Sequence, residues 1–122
     1  MTSIRRAAAW LLMVAACTTT AETAFDTATP QAVAAGEEVF AASCAQCHGE
    51  AADGTDQGPP LVDNIYRSSH HADGAISLAV SRGVPQHHWN FGPMLAVDGL
   101  SETDVTNVIA YIRKLQADAG IE

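Results

Sequence analysis

Cys44 and Cys47 are separated by two residues, and His48 follows the second cysteine directly. On a helix the two thiols would lie one turn apart, with the imidazole next to them. This C-x-x-C-H pattern is the attachment sequence of a c-type haem, whose iron takes the histidine as an axial ligand. We therefore predict one haem covalently attached at Cys44 and Cys47, with His48 on the iron.

Other uses of paired cysteines fit this sequence poorly. A structural zinc site needs further ligands at suitable spacing, and the chain has only three cysteines, without a second pair. A thioredoxin-like dithiol needs alternating strands and helices, and no segment alternates well enough to predict a sheet. Haem attachment is therefore the favoured interpretation.

The N-terminus has the order of an export signal. Arg5 and Arg6 precede an apolar run at 7–16, which is too short for the roughly 20 residues that a membrane-spanning helix needs. The run ends in Val-Ala-Ala before Cys17, which resembles a bacterial lipobox and predicts a lipidated cysteine that anchors the protein on the periplasmic side. Ordinary signal cleavage, giving a soluble periplasmic protein, is the alternative. We predict a signal peptide at 1–16, the lipidated cysteine with a threonine-rich tether at 17–29, and one folded domain at 30–122.

The chain is strongly acidic. It has 14 acidic residues against 6 basic ones and a net charge of −8, and two of the basic residues lie in the predicted leader. Nucleic-acid binding needs lysine and arginine at the phosphates, so this class of partner is excluded. The charge instead predicts redox partners with basic docking surfaces, which long-range electrostatics would attract.

Three helices are predicted in the folded part. The first begins with Thr29 as N-cap and Pro30 as first residue, and runs to about residue 43. The second spans about 74–82, with Asp73 as its cap. The third begins with a capping-box pattern at 101–104 and carries an apolar stripe. Arg113 lies toward its end, where a cation would interact favourably with the helix dipole.

These helices alone would leave the core underfilled. Aromatic residues are only 6% of the chain, and the connecting loops are long and rich in glycine and proline. Loops of this length in a compact domain need something to pack against. A large apolar prosthetic group would provide the missing bulk.

Residues 30–117 resemble the small class I cytochromes c. Gly36, Phe40 and Cys44 have the spacing of that family's N-terminal helix, and the segment around Tyr111 resembles its C-terminal helix. The resemblance implies an all-α cytochrome c fold, with three to four short helices and loops around one covalent haem c. It also implies a close crossing of the two helices at Gly36, with Phe40 packed on Tyr111.

The resemblance extends to other haem contacts. The segment Gly-Pro-Pro-Leu resembles the family's loop after the attachment sequence, which implies that the Pro59 carbonyl accepts the N–H of His48 and that Leu61 packs on the haem. Met94 lies before the last helix, as the family's axial methionine does, and is the only methionine outside the leader. Trp89 is expected beside the haem or its propionates because it lies near Met94.

Two histidine pairs, His70 with His71 and His87 with His88, are unusual in a chain of 122 residues. Loop histidines are ordinarily solvated, and this is the first interpretation. Two alternatives remain open. One is a histidine in place of Met94 as the distal ligand, and the other is a copper or zinc site between the pairs.

We expect an electron carrier rather than an enzyme, because two filled axial positions leave the iron no place for a small-molecule substrate. Two other classes of protein remain open. An open or weakly ligated iron would permit peroxide chemistry or gas sensing. The histidine pairs would alternatively permit a metal-handling lipoprotein.

Overall fold

The computed structural model describes residues 28–121, which form four α-helices and one short 3-10 helix. Their bounds are α1 Pro30–Ser43, α2 Ala45–His48, the 3-10 helix Asn64–Tyr66, α3 Asp73–Arg82 and α4 Glu102–Asp118. This part of the chain contains no β-strand, only an isolated antiparallel bridge between Val84 and Met94. The predicted all-α fold and its three main helices are confirmed, and α2 and the 3-10 helix are additions to it.

The predicted signal peptide, the lipidation site Cys17 and the tether up to residue 27 lie outside the described residues. The described part begins two residues before α1. None of the helices between residues 28 and 121 is long and apolar enough to cross a membrane.

Helices α1 and α4 pack against each other and build the core. Phe40 of α1 is 1% exposed, and its ring centroid lies 5.4 Å from that of Tyr111 on α4. The backbone of Asn107 leaves no space for a side chain at Gly36. The predicted close crossing and the predicted aromatic contact are both confirmed. The other buried members of this core are Ala52, Val108 and Ile112.

The helix ends follow the predicted caps with one exception. Thr29 Oγ1 accepts an N–H from the first turn of α1 at 3.2 Å. Ser101 and Asp104 form a reciprocal capping box at the start of α4. The prediction of Asp73 as the cap of α3 is wrong, because Ala72 occupies the N-cap and no side chain caps that end.

Asp73 instead pairs with Arg113, which corrects a second prediction. Arg113 Nε donates to Asp73 at 2.8 Å, and its other nitrogens donate to the carbonyls of Tyr66 and His71. Gln116, 2% exposed, donates to the Tyr66 carbonyl at 3.1 Å. Arg113 lies before the last turn of α4, so it fastens α4 to α3 and the 3-10 helix rather than interacting with the helix dipole.

Candidate haem site

The C-x-x-C-H sequence lies at the junction of α1 and α2. Cys44 separates the two helices, and its N–H donates to the Phe40 carbonyl at 2.8 Å. Burial is the main cause that raises the pKa of the Cys44 thiol to about 11, and the neighbouring Cys47 is a smaller one. This thiol is therefore protonated at neutral pH. Cys47 is exposed. Both cysteines and His48 line one large cavity.

The loop after α2 folds back onto this sequence. The Pro59 carbonyl accepts the Nδ1–H of His48 at 2.8 Å, the bond that the family resemblance implied. Nε2 is therefore the ring nitrogen with a free lone pair. Burial lowers the pKa of His48, although the Pro59 bond acts in the opposite direction. A Cβ on Gly58 would lie 2.8 Å from the Cys47 carbonyl oxygen, so the loop can approach α2 only with glycine here.

The cavity measures about 810 Å³. Helices α1, α3 and α4 and the loops around residues 57–61 and 84–98 line it, mostly with apolar side chains. Small-molecule and cofactor sites are typically about 300–1,000 Å³. Leu61, which is predicted to pack on the haem, lies in this wall. A cavity of this size between the helices agrees with the prediction that the helices alone leave the core underfilled.

Trp89 tests whether this cavity suits a haem. It lines the cavity, and its buried Nε1 makes no well-aligned hydrogen bond with any described residue, although the Trp89 side chain is near enough to Tyr66 to counteract part of the rise that burial causes in the Tyr66 pKa. A buried donor without a partner costs about 1–3 kcal/mol. A haem propionate is a carboxylate and would accept this N–H. The two thiols, His48 and this donor together fit a covalently bound haem.

Met94 lies in the wall of the same cavity. Its backbone pairs with Val84, each N–H donating to the other residue's carbonyl at 2.9 Å. Gly83, which ends α3 with φ of +73°, lies so close that a Cβ would be 2.5 Å from the Met94 carbonyl oxygen. The structure thus brings Met94 and His48 to one cavity, and backbone contacts hold both segments in place.

The two histidine pairs meet in one cluster. The ring centroid of His88 lies 4.4 Å from that of His87, 5.2 Å from that of His71 and 5.3 Å from that of His70. His71, His87 and His88 also line the large cavity. Loss of surrounding water is the main cause that lowers the pKa of His88, and the three other imidazoles lower it further. The cluster lies at the rim of the cavity.

A family model described as Cytochrome c matches residues 33–116. The chain belongs to the cytochrome c family. The matched range begins in α1 and ends in α4, so it includes the attachment sequence and both segments that carry His48 and Met94. Covalently bound haem c follows from this membership and from the spacing of Cys44 and Cys47.

Oxidase subunits are among the relatives of this cytochrome. It is 41% identical over 86 residues to the Cbb3-type cytochrome c oxidase subunit CcoP of Rubrivivax gelatinosus, covering 70% of this chain and 27% of that protein. It is 33% identical over 84 residues to the CcoP subunit of Rhodobacter capsulatus, covering 66% and 28%. The chain spans about a quarter of the length of these relatives. These similarities support a haem c electron-transfer cytochrome.

Sequence reasoning missed two residues that shape this site. Ala52 is fully buried at φ of +55°, and its carbonyl accepts the Leu61 N–H at 2.7 Å. An alanine gives no sequence signal for this left-handed conformation. Gly83 directly follows the predicted helix at 74–82, and its contact with Met94 depends on a loop that returns from eleven residues further along the chain.

Proposed function

We propose that this cytochrome carries single electrons between redox partners on the periplasmic side of a membrane, to which lipidated Cys17 tethers it. The proposal rests above all on the shared cavity of His48 and Met94, two side chains suited to opposite axial positions of one iron. When bound, the haem supplies one-electron chemistry, with its iron alternating between the ferric and ferrous states. With His48 and Met94 both bound to the iron, no position would remain for a small-molecule substrate.

Each residue of the site has a separate task in this proposal. Cys44 and Cys47 would hold the porphyrin through thioethers, and His48 would bind the iron through Nε2. Pro59 orients the imidazole and increases its basicity by accepting the Nδ1–H. Met94 is the distal ligand, whose soft thioether sulfur favours reduced iron and raises the reduction potential.

The acidic surface beside Cys47 is the proposed docking site for basic partners. Glu50, Asp53 and Asp56 are exposed and lie in the loop that folds back onto the attachment sequence. Thr55 of this loop donates to the Cys47 carbonyl at 2.6 Å. Because Cys47 is itself exposed, the carboxylates lie near the accessible edge of the cavity, where a partner would approach.

The relatives suggest what such a partner is. Because the curated relatives carry the name of cytochrome c oxidase subunits, we include a membrane-bound oxidase complex among the proposed partners. A tether of about twelve residues has a root-mean-square span of roughly 20 Å. It would restrict this cytochrome to partners in or close to the membrane.

The test is the visible spectrum of the holo-protein, including the weak far-red band that arises from sulfur bound to ferric iron. We expect the band in the wild-type protein, its loss in Met94→Ala, and its retention in Leu78→Ala, since Leu78 is 51% exposed and lies outside the cavity lining. A wild-type protein without the band, or one that binds carbon monoxide readily when reduced, would instead favour a histidine-ligated or open iron and a haem enzyme or gas sensor.

Lipidation is tested separately by cell fractionation. Wild-type protein is expected in the membrane fraction and Cys17→Ala in the soluble fraction. If Cys17→Ala stays with the membrane, the proposal of a lipid anchor is wrong. The proposal of an electron carrier is unaffected by that result.

A further inference from the structure

The histidine cluster at the cavity rim has the donor geometry of a second metal site. The nitrogens of His70, His71 and His88 that could bind an ion all lie within 4.8 Å of one another. Three imidazole donors are a ligand set that Zn²⁺ and Cu²⁺ both accept. The two pairs come from separate loops, so the cluster exists only in the folded chain.

Hydrogen bonds behind the rings orient part of this donor set. The Ile65 carbonyl accepts the Nδ1–H of His71 at 2.7 Å, which leaves the lone pair of Nε2 free. Histidines that bind metal commonly donate their other N–H to a carbonyl, which fixes both the tautomer and the ring direction. The His71 carbonyl in turn accepts from Arg113, so both the backbone and the ring of this residue are held.

Access and charge also suit a cation. His70 and His88 are exposed and His71 is half-buried, so an ion could enter from solvent without opening the fold. Two arginines lie near the cluster. Arg113 is paired with Asp73, and the Arg67 guanidinium donates to Ser69 Oγ and to the Asn64 carbonyl. The chain as a whole has a net charge of −8, which raises the local concentration of cations.

We propose that His70, His71 and His88 bind one divalent transition-metal ion, Zn²⁺ or Cu²⁺, at the rim of the haem cavity. Three protein ligands leave a fourth tetrahedral position for water. His87 lies beside the site and its Nδ1 donates to the Pro85 carbonyl at 2.9 Å, but it is not one of the three residues whose donor atoms converge. The site rests on the proposed ligation of the iron by Met94, which leaves these three imidazoles free, and the far-red band of the holo-protein tests that ligation separately from metal binding.

The test is calorimetric titration of the holo-protein with Zn²⁺, comparing wild type with His70→Gln, His88→Gln and His87→Gln. We expect one Zn²⁺ per chain in the wild type. Loss of one ligand in His70→Gln or His88→Gln should weaken binding by about tenfold or more, because changing a residue that only supports a metal ligand already weakens binding by about 10–100-fold. His87→Gln is the matched control within the cluster and should bind as the wild type does. An unchanged visible haem spectrum shows that each variant is folded.

Copper provides a readout that packing changes do not imitate. In the ferric holo-protein, one equivalent of Cu²⁺ should give an electron paramagnetic resonance signal with coupling to imidazole nitrogen, and His88→Gln should lose part of this coupling. The proposal is overturned if the wild type binds no Zn²⁺, or if His70→Gln and His88→Gln bind as tightly as the wild type. Equal weakening by His87→Gln would overturn the three-ligand assignment.

Discussion

Gly36 of α1 lies directly against the backbone of Asn107 of α4. A Cβ at Gly36 would lie 1.9 Å from the Asn107 carbonyl oxygen and 3.0 Å from the Cβ of Tyr111. No side chain fits at that distance, and the obstacle is backbone, which cannot rotate away. The crossing of α1 and α4, and therefore one wall of the haem cavity, depends on the missing side chain.

Gly36→Ala is accordingly expected to destabilise the holo-protein by more than about 2 kcal/mol, because the helices must separate. The intrinsic helix preference of alanine, about 1 kcal/mol, acts in the opposite direction and is smaller. Gly74→Ala is the matched control. Gly74 is also helical and has no heavy atom within 4 Å of an added Cβ, so this variant should be unchanged or slightly more stable. Urea unfolding followed by the visible spectrum measures both, and equal stability of the two variants would contradict the argument.

The contact between Gly83 and Met94 predicts an effect on the iron as well as on stability. Gly83→Ala would place a Cβ 2.5 Å from the Met94 carbonyl and should displace the loop that carries the thioether. We expect a weaker far-red sulfur band and more carbon monoxide binding to the reduced protein.

Gly99→Ala is the control that distinguishes displacement of the Met94 loop from backbone strain alone. Gly99 has φ of +85° and nothing within 4 Å of an added Cβ. Both variants should lose about 1–3 kcal/mol of stability from a side chain at positive φ, but only Gly83→Ala should change the band. A normal band in Gly83→Ala would mean that its contact does not position Met94.

The parts of the fold that sequence predicted are those set by local spacing. The C-x-x-C-H sequence, the capping box at Ser101 and Asp104, and the helical spacing of Gly36 and Phe40 are each visible within a few residues. The contacts between these separate segments came from the family resemblance, which implied the contact of Phe40 with Tyr111 and the bond between Pro59 and His48.

What sequence did not predict depends on contacts between distant segments. Arg113 binds Asp73 and the Tyr66 carbonyl across 40 and 47 positions, and its place on α4 suggested only a dipole interaction. The two histidine pairs are conspicuous in sequence, but their convergence depends on how the loops before α3 and after α3 fold over the cavity. The unpaired Nε1 of Trp89 likewise has meaning only once the cavity wall is known.

Arg113 should contribute more to stability than its charge suggests. Arg113→Met would leave Asp73 and the carbonyls of Tyr66 and His71 without this donor, at an expected cost of about 1–3 kcal/mol. Lys114→Met is the control, since Lys114 forms an exposed pair with Asp118 one turn along the same helix, and such pairs contribute about 0–1 kcal/mol. Thermal unfolding of both holo-proteins measures the two losses of stability. Equal losses would mean that Arg113 is only a surface charge.

Asp104 makes the capping box of α4 sensitive to acid. Hydrogen bonds from the Ser101 side chain and backbone lower the pKa of Asp104 below its ordinary 3.8. Because the folded-state pKa is the lower one, the charged cap stabilises the fold above pH 3.8, and this contribution is lost as the pH falls from there through the folded-state pKa.

The comparison that isolates this effect is wild type against Asp104→Asn. The wild type should be more stable at pH 6, and the difference should shrink as the pH falls below about 4. Glu102 lies in the same turn, but its side chain is not hydrogen-bonded to Ser101. Glu102→Gln therefore measures the effect of losing one charge at the start of the helix dipole without losing the capping bonds. A difference that does not change between pH 6 and pH 3 would mean that the charge of Asp104 does not contribute to the cap.

The carboxylates beside Cys47 should determine how charged oxidants reach the reduced haem. With a cationic oxidant such as cobaltic tris-phenanthroline, the electron-transfer rate should fall as salt is added. Raising the ionic strength from 0.01 M to 0.15 M shortens the screening length from about 30 Å to about 8 Å. With ferricyanide, an anion, the rate should rise instead.

Asp53→Asn with Asp56→Asn should reduce both salt effects. Glu38→Gln with Glu102→Gln removes the same charge from exposed positions in α1 and α4 and should reduce them less. Equal effects of the two double variants would show that only net charge matters, and that partners have no preferred approach beside the attachment sequence.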